Sequence, residues 1–229
     1  MQRSTAPPVE RRYHHGDLRR AIVEAALDTV RETQSIELSL RELARRAGVS
    51  HNAPYKHFAE KRDLLAAISA AGFELLTKRM ADESAKPGSP RARLMAMARA
   101  YMRHGVENPA LYRLMFGGHL STADAGRPPI ERAAAEEAKI LFSSAIADGA
   151  LGQPIPKTAK NQRKLDGAIL ACWSLLHGLT LLLADGVVGP REKYEALCES
   201  LVQGLLDGLI NKVPALPPGT WVGPPMSSG

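Results

Sequence analysis

The chain has 229 residues, of which 45% are hydrophobic, 24% are charged and only 5% are aromatic. These are ordinary globular values, and the abundance of alanine and leucine over aromatic residues favours helices rather than a sheet. The N-terminus lacks the apolar stretch of a signal peptide, and no run of about 20 uncharged apolar residues is evident. We therefore expect a cytoplasmic protein without a membrane span.

The net charge of +6 is concentrated near the N-terminus. Residues 1–62 contain 12 Lys and Arg against 8 Asp and Glu, together with four histidines. Residues 63–229 contain 18 Lys and Arg against 16 Asp and Glu. This asymmetry favours a local polyanion-binding surface, although net charge by itself does not single out nucleic acid.

Two short helices are predicted around a glycine. The first covers residues 40–47, and Ser39 and Glu42 have the spacing of a capping box at its start. Gly48 supplies the positive φ that ends a helix in a tight turn, and a second helix is predicted over residues 51–58. Neither helix is long enough to be stable alone in water. Together they form a helix-turn-helix pattern, whose second helix enters the DNA major groove.

Polar side chains dominate the second helix of this pattern. Ser50, His51 and Asn52 lie at its N-terminal end, where base edges are contacted, and an asparagine can pair bidentately with adenine. The alternative is a solvated polar turn between two packed helices. The predicted phosphate donors that follow are Tyr55, Lys56 and His57.

The rest of the chain also reads as helical, with no internal repeat and no alternating strand pattern. Glycine- and proline-rich loops are expected at residues 118–128 and 149–158. The predicted helices cover residues 17–32, 61–83, 91–107, 110–116, 130–148, 162–184 and 191–212. We expect an all-α chain with a flexible basic arm (1–14), a three-helix helix-turn-helix DNA-binding domain (15–62), a larger C-terminal helical domain (63–212) and a disordered tail (213–229).

Two C-terminal segments carry more apolar surface than one core face requires. Residues 162–184 are apolar around most of the helix circumference, and residues 191–212 carry a leucine stripe. Two such helices from each subunit can pair about a twofold axis as a four-helix bundle, whereas a purely intrachain core is the alternative. The candidate interface residues are Leu179, Leu183, Leu197, Leu201 and Leu205.

The first 65 or so residues resemble the N-terminal domain of the TetR family of transcriptional regulators. The resemblance rests on residues 17–32, on SLRELARRAGVSHNAPYKHF at 39–58, and on the EKRDLLAAI that follows. It implies that Phe58 is buried and that Lys61 contacts a phosphate. This sequence departs from the family pattern at Gln34, near which the first helix usually ends on a glycine, and at Pro54, where leucine is commoner.

The resemblance implies a ligand-responsive repressor that binds a palindromic operator in double-stranded DNA as a homodimer. The larger domain would hold the dimer interface and a pocket for a small, largely apolar effector. WSLLHG at 173–178 resembles the Trp-His-Gly signature of one C-terminal subgroup, whose members also tend to carry a preceding helix like NPALYRLMF at 108–116. The flank RRYHHGD resembles a basic arm found in many members, which adds Arg12, Tyr13 and His14, with Arg41, to the predicted DNA contacts.

Methionines and aromatic residues at helical spacing are the candidates for the pocket, although such residues more often build a core. His177 lies four residues after Trp173 on the same face, and either orients a polar ligand atom or is a core histidine. Arg103 and His104 either bind an anionic ligand or lie on the protein surface without a ligand. The predicted ligand-binding residues are Met95, Met102, Tyr112, Met115, Phe116, Trp173 and His177.

Two other classes of function compete with DNA binding as an explanation of this sequence. An enzyme is disfavoured because the sequence has no HExxH, P-loop, GxSxG or GxGxxG motif. Its seven histidines show no metal-ligand spacing, so we expect no metal and no cofactor. A helical small-molecule carrier without DNA function would leave the N-terminal pattern unexplained.

Overall fold

The computed structural model describes residues 15–117, 128–150, 152 and 158–212, and these residues form helices and no strand. The all-α prediction is therefore confirmed. The predicted arm at 1–14 and the tail at 213–229 lie outside the described residues, as do most of the two predicted loops. The α-helices are α1 (His15–Thr33), α2 (Leu40–Arg46), α3 (Lys61–Ser84), α4 (Pro90–Glu107), α5 (Pro109–Phe116), α6 (Pro129–Ala145), α7 (Ala159–Ala184) and α8 (Tyr194–Lys212).

Helix α1 is followed by Gln34, whose φ of +52° is the left-handed conformation that glycine adopts most easily. The Gln34 N–H donates to the Val30 carbonyl at 2.9 Å. Its side-chain Nε2 donates to the Arg31 carbonyl at 2.8 Å, which satisfies one of the last carbonyls of the helix. A glutamine thus occupies the conformation that a terminal glycine would have supplied.

Helix α2 ends in a Schellman motif centred on Gly48, whose φ is +69°. The N–H groups of Val49 and Gly48 donate to the carbonyls of Ala44 and Arg45, at 2.9 and 3.2 Å. At the other end of the helix the predicted capping box forms only in part. The Ser39 hydroxyl accepts from the Glu42 N–H at 3.5 Å, but the Glu42 carboxylate turns to arginines instead of back to Ser39.

The second helix of the motif differs from its prediction over residues 51–58. A hydrogen-bonded turn is followed by a single 3-10 turn, Pro54–Lys56. The cause is Pro54, which has no N–H to donate to the Ser50 carbonyl, so that carbonyl accepts from Ala53 instead at 2.9 Å. Ala53, Pro54 and Phe58 are buried, which fixes this short segment to the core despite its lack of helical length.

Helix α4 is the centre of the larger domain, and it packs against α3, α7 and α8. Helix α6 lies along α3, and α5 contacts both α1 and α3. Helix α3 is continuous from Lys61 to Ser84, so the predicted boundary between residues 62 and 63 falls inside one helix. Helix α6 ends earlier than predicted, in a π-helical turn, Ile146–Ala150, and α8 follows a 3-10 turn, Arg191–Lys193.

Helix α7 corrects the expectation that no segment is apolar enough to cross a membrane. Within Asn161–Ala184, an apolar window of 18 residues has the length and composition of a span, with a mean hydropathy of 1.8. In the folded chain 44% of this apolar window is buried, and α7 packs against α4 and α8. This helix is therefore a core helix that also keeps an apolar outer face.

Candidate DNA-binding surface and ligand cavity

The turn after α2 presents polar side chains on an anchored backbone. Its buried residues face the core, where the Arg19 guanidinium of α1 lies 5.3 Å from the centre of the Phe58 ring. His57 is half-buried. Arg12, Tyr13 and His14 lie outside the described residues. The predicted DNA contacts that are exposed are Arg41, Ser50, His51, Asn52, Tyr55, Lys56 and Lys61.

A shallow groove joins α2 to this turn and includes a residue that the sequence analysis missed. It is lined by Ser39, Arg41, Glu42, Arg45, Val49 and His51. Arg41 and Arg45 are one helical turn apart, a spacing that could have identified Arg45. Arg45 donates to both Glu42 oxygens, at 2.8 and 2.6 Å, and this pairing holds the pKa of Glu42 at about 2.

Lys61 is held by an acidic neighbour. Its Nζ donates to Oε2 of Glu37 at 2.8 Å, and this hydrogen bond lowers the pKa of the Glu37 carboxyl. Glu37 lies in the segment between α1 and α2, where no sequence pattern marks it as a partner of Lys61. A phosphate contact by Lys61 therefore has to compete with an existing carboxylate partner.

The larger domain contains a cavity of about 340 Å³. Residues of α3, α4, α5, α6 and α7 line it, and the walls from α3 and α7 are largely apolar. One face of α6 contributes Arg132, Ala135, Glu136 and Lys139, which have the spacing of one helical face. Two of them form an ion pair, Lys139 with Glu136 at 3.1 Å. The lining side chains are Phe73, Leu76, Met80, Tyr101, Phe116, Arg132, Ala135, Glu136, Ala138, Lys139, Phe142, Ile169, Trp173, Leu176 and His177.

Three of the predicted ligand-binding residues line this cavity, namely Phe116, Trp173 and His177. The other four do not. Tyr112 and Met102 are buried in the core. Met115 packs tightly against Gly72, because a Cβ added to this glycine would lie only 2.7 Å from the Met115 sulfur. Met95 faces a surface groove between α4 and α8. The lining residues of α3 and α6 were missed because only the packing of these helices brings them together.

Four side chains at the α4, α5 and α7 side of the cavity form a hydrogen-bond network. Trp173 Nε1 lies 3.2 Å from the Tyr101 hydroxyl, which is 2.8 Å from the Tyr112 hydroxyl. The Tyr112 hydroxyl lies 2.7 Å from Nδ1 of His177, and the Tyr101 hydroxyl lies 3.4 Å from the same nitrogen. Burial raises the pKa of both tyrosines and lowers the pKa of His177, so all four side chains are uncharged near neutral pH.

Arg103 and His104 do not reach the cavity. Arg103 donates to the Glu195 carboxylate of α8 at 2.7 Å. His104 is fully buried, and neither of its ring nitrogens has a hydrogen-bond partner among the described residues. Burial, together with the charges of Arg79 and Arg31, lowers the pKa of His104 to about 3.

The candidate interface residues separate into two groups. Leu179 and Leu183 are buried inside the subunit, where its own core covers them. Leu197 and Leu205 are half-buried and Leu201 is 40% exposed on α8, while the neighbouring α7 exposes Leu182 at 45%.

Two protein-family models match the chain. Residues 22–68 match the model described as bacterial regulatory proteins, tetR family. Residues 94–205 match the model described as tetracyclin repressor-like, C-terminal domain. The C-terminal match does not establish the Trp-His-Gly subgroup, which stays a prediction.

Solved structures show the same fold over most of the chain. A protein of unknown function from Rhodococcus sp. RHA1 is 29% identical, with a TM-score of 0.70 over 88% of this chain and 100% of that one. A tetR-family transcriptional regulator from Streptomyces coelicolor is 21% identical, with a TM-score of 0.64 over 86% of this chain and 88% of that one. A TetR variant from Acinetobacter baumannii, in complex with minocycline, is 20% identical, with a TM-score of 0.54 over 86% of this chain and 96% of that one.

Proposed function

Because the chain belongs to the TetR family of DNA-binding transcriptional regulators, we propose that it is a ligand-responsive repressor acting on a palindromic operator as a homodimer. Members of this family are regulators rather than enzymes, and we propose no catalytic role. The proposed site of action is the cytoplasm, and the proposed effector is a small, largely apolar molecule.

The observation that carries the proposal is the exposed polar surface of the helix-turn-helix unit. Asn52 and His51 are exposed ahead of the 3-10 turn, where they can reach base edges. Tyr55 and Lys56 are exposed beside them and suit phosphate oxygens. The rigid attachment of this turn through Phe58 supports its use as a reading surface, because side chains that contact bases need a fixed backbone.

The outer face of α7 and α8 supports the homodimer. Gly178, Gly204 and Gly208 lie within these helices, where glycine costs about 1 kcal/mol relative to alanine. A Cβ on any of the three would meet nothing within 4 Å in the subunit, so packing within the subunit does not require them. Close packing of α7 and α8 against the same helices of a second copy would require such small residues. They lie next to the exposed Leu182 and Leu201.

The proposed response to an effector runs through α3 and α6. Both helices line the cavity, and α3 begins at Lys61 in the DNA-binding unit. A molecule held between them would favour a state in which α3 is displaced. The displacement would change the distance between the DNA-contacting surfaces of the two subunits. That spacing must match half-sites about 34 Å apart, or a multiple of this distance. The variant from Acinetobacter baumannii was solved with minocycline, a small-molecule ligand of that protein.

The proposed coupling between effector binding and DNA binding corresponds to a defined free energy. A hundredfold loss of DNA affinity requires about 2.7 kcal/mol of coupling between the two sites, and operator DNA must weaken effector binding by the same factor.

A mobility-shift assay with DNA from upstream of the protein's own gene tests the proposal. We expect a salt-dependent complex containing two subunits, and in-vitro transcription from that DNA should decrease. Asn52→Ala should change the sequence preference, whereas the matched control Asn161→Ala, at the start of α7, should not. The proposal is wrong if the protein binds upstream and unrelated DNA equally, or if Asn52→Ala leaves the preference unchanged.

A further inference from the structure

The cavity of the larger domain has two chemically different sides. On the α4 and α7 side, Tyr101 and His177 are uncharged near neutral pH, because burial raises the pKa of Tyr101 and lowers the pKa of His177. On the α6 side lie Arg132, Glu136 and Lys139, the only charged side chains that line the cavity within the described part of the chain. Any charge on a bound molecule would therefore meet its partners at α6.

Arg132 is the cation of this side that has no acidic partner. Its guanidinium forms no ion pair and no hydrogen bond with any residue that the structure describes. The two carboxylates nearest to it along the helix are directed elsewhere. Glu131 accepts from Ser69 at 2.9 Å in the core, and Glu136 pairs with Lys139 at 3.1 Å although it lies four residues after Arg132. The guanidinium thus keeps its N–H donors available at the cavity wall.

The charged residues of α6 lie at the mouth of the cavity. Arg132 is exposed, and the side chains of Glu136 and Lys139 are 37% and 25% exposed. The walls supplied by α3 include the buried, apolar Leu76 and Met80. A charged group bound at the mouth would keep part of its hydration while an apolar body entered the cavity. This division favours an amphipathic ligand, because burying a charge completely is costly.

We propose that the cavity takes a small, largely apolar carboxylic acid in its ionised form, with the carboxylate on the Arg132 guanidinium and the apolar body against α3 and α7. A guanidinium offers a carboxylate two parallel N–H donors. A cationic ligand is disfavoured, because Glu136 is already paired with Lys139 and Arg132 would repel a second cation. This inference rests on the proposed role of the cavity as the effector site, and it adds the charge and the chemical class of the effector.

Three naphthyl compounds test the proposed charge. The probes 2-naphthylacetate, 2-naphthylacetamide and 2-naphthylethylamine share an apolar body and carry a negative, a neutral or a positive group. In equilibrium dialysis with the full-length protein near neutral pH, we expect the acetate to bind about tenfold more tightly than the acetamide. This is the lower end of the range for a hydrogen bond to a charged group, because Arg132 is exposed. The amine should bind most weakly, and added salt should reduce the differences.

Two variants of α6 should act in opposite directions. Arg132→Gln should remove the preference for the acetate and leave the affinity for the acetamide nearly unchanged. Glu136→Gln should raise the affinity for the acetate about two- to fivefold, because it removes a repelling carboxylate and releases Lys139. Damage to the fold would not produce such a rise. The control Arg163→Gln removes the same charge from an exposed arginine of α7 that does not line the cavity, and it should leave all three affinities unchanged.

The inference is overturned if 2-naphthylacetate does not bind, or if the acetamide or the amine binds as tightly. It is also overturned if Arg132→Gln keeps the preference, if Glu136→Gln weakens binding of the acetate, or if Arg163→Gln abolishes the preference as well. None of these measurements uses DNA. A failure of the mobility-shift assay would therefore reject the proposed function, while the probe affinities would still decide whether the cavity takes a carboxylate.

Discussion

The Ser69 hydroxyl donates a hydrogen bond of 2.9 Å to Oε1 of Glu131, and both side chains are almost fully buried. Ser69 lies in α3, which leads from the DNA-binding unit, and Glu131 lies in the first turn of α6, which lines the cavity. A carboxylate inside a helical core needs such partners, because burying a charge without them is costly. The bond therefore fixes the two helices at one relative position.

Ser69→Ala should lower the free energy of unfolding by about 1–3 kcal/mol, because Glu131 loses a buried donor. Urea denaturation followed by circular dichroism measures this change. The matched control is Ser84→Ala on the same helix, where the hydroxyl donates only to the Ala81 carbonyl of its own turn. We expect less than about 0.5 kcal/mol for the control. Equal effects of the two substitutions would show that the Ser69–Glu131 bond contributes nothing particular to stability.

Glu37→Gln should strengthen DNA binding, because the substitution removes the carboxylate that competes with phosphate for Lys61. Lys61→Ala and Lys56→Ala should each weaken binding to all sequences and reduce the slope of log affinity against log salt by about 0.9. Fluorescence anisotropy over a series of salt concentrations measures both effects. Lys78→Ala is the control, since Lys78 is an exposed lysine on α3 that pairs with Asp82. An unchanged slope in the Lys56 and Lys61 variants would contradict the phosphate contacts.

Gly204→Leu should dissociate the proposed dimer without unfolding the subunit. Inside the subunit a Cβ at this position meets nothing within 4 Å, and glycine is the poorer helix former by up to about 1 kcal/mol. Between two closely packed helices the same side chain would be overpacked by about 1–3 kcal/mol, which raises the dimer dissociation constant about tenfold or more.

Sedimentation velocity at several concentrations measures the dimer equilibrium of this variant. The control is Gln203→Leu, which adds a leucine to the flank of α8 that faces α4. A Gly204→Leu protein that still sediments as the wild-type dimer would place the interface elsewhere.

His104→Leu should make the protein less sensitive to acid. The pKa of His104 falls from 6.5 to about 3 on folding, so the unfolded chain binds a proton more readily than the native protein does. Keeping this imidazole neutral in the native protein therefore costs no stability above pH 6.5, and the cost grows as the pH falls from 6.5 towards 3. At pH 7 the leucine should raise the free energy of unfolding by about 1–3 kcal/mol, because it removes a buried polar ring without partners.

Thermal unfolding between pH 4 and pH 8 compares wild type with His104→Leu. The exposed His51→Leu serves as the control and should follow wild type. A His104→Leu curve parallel to that of wild type would mean that the imidazole finds a partner in solution.

Local patterns in the sequence were sufficient to predict the helical class and the turn after α2. Gly48 has a positive φ because the turn at that point needs one, and the helix α2 before it follows from apolar spacing. The same local reasoning failed at Pro54, where the missing N–H shortens the second helix to a 3-10 turn. The effect of Pro54 on the local structure depends on how Ala53 and Phe58 are buried, and this burial is a property of the whole domain.

The cavity was decided by tertiary structure. Trp173 and His177 are one turn apart on α7, so the sequence could place them on one face. Their hydrogen-bond partners Tyr101 and Tyr112 lie about 70 residues earlier on α4 and α5, and only the packing of three helices brings the four groups into contact. In the same way, Leu179 and Leu183 match Leu182 in apolarity but face the core. Periodicity shows which residues share a face of a helix, whereas the neighbours of that helix determine whether the face meets the core, a cavity or the surface.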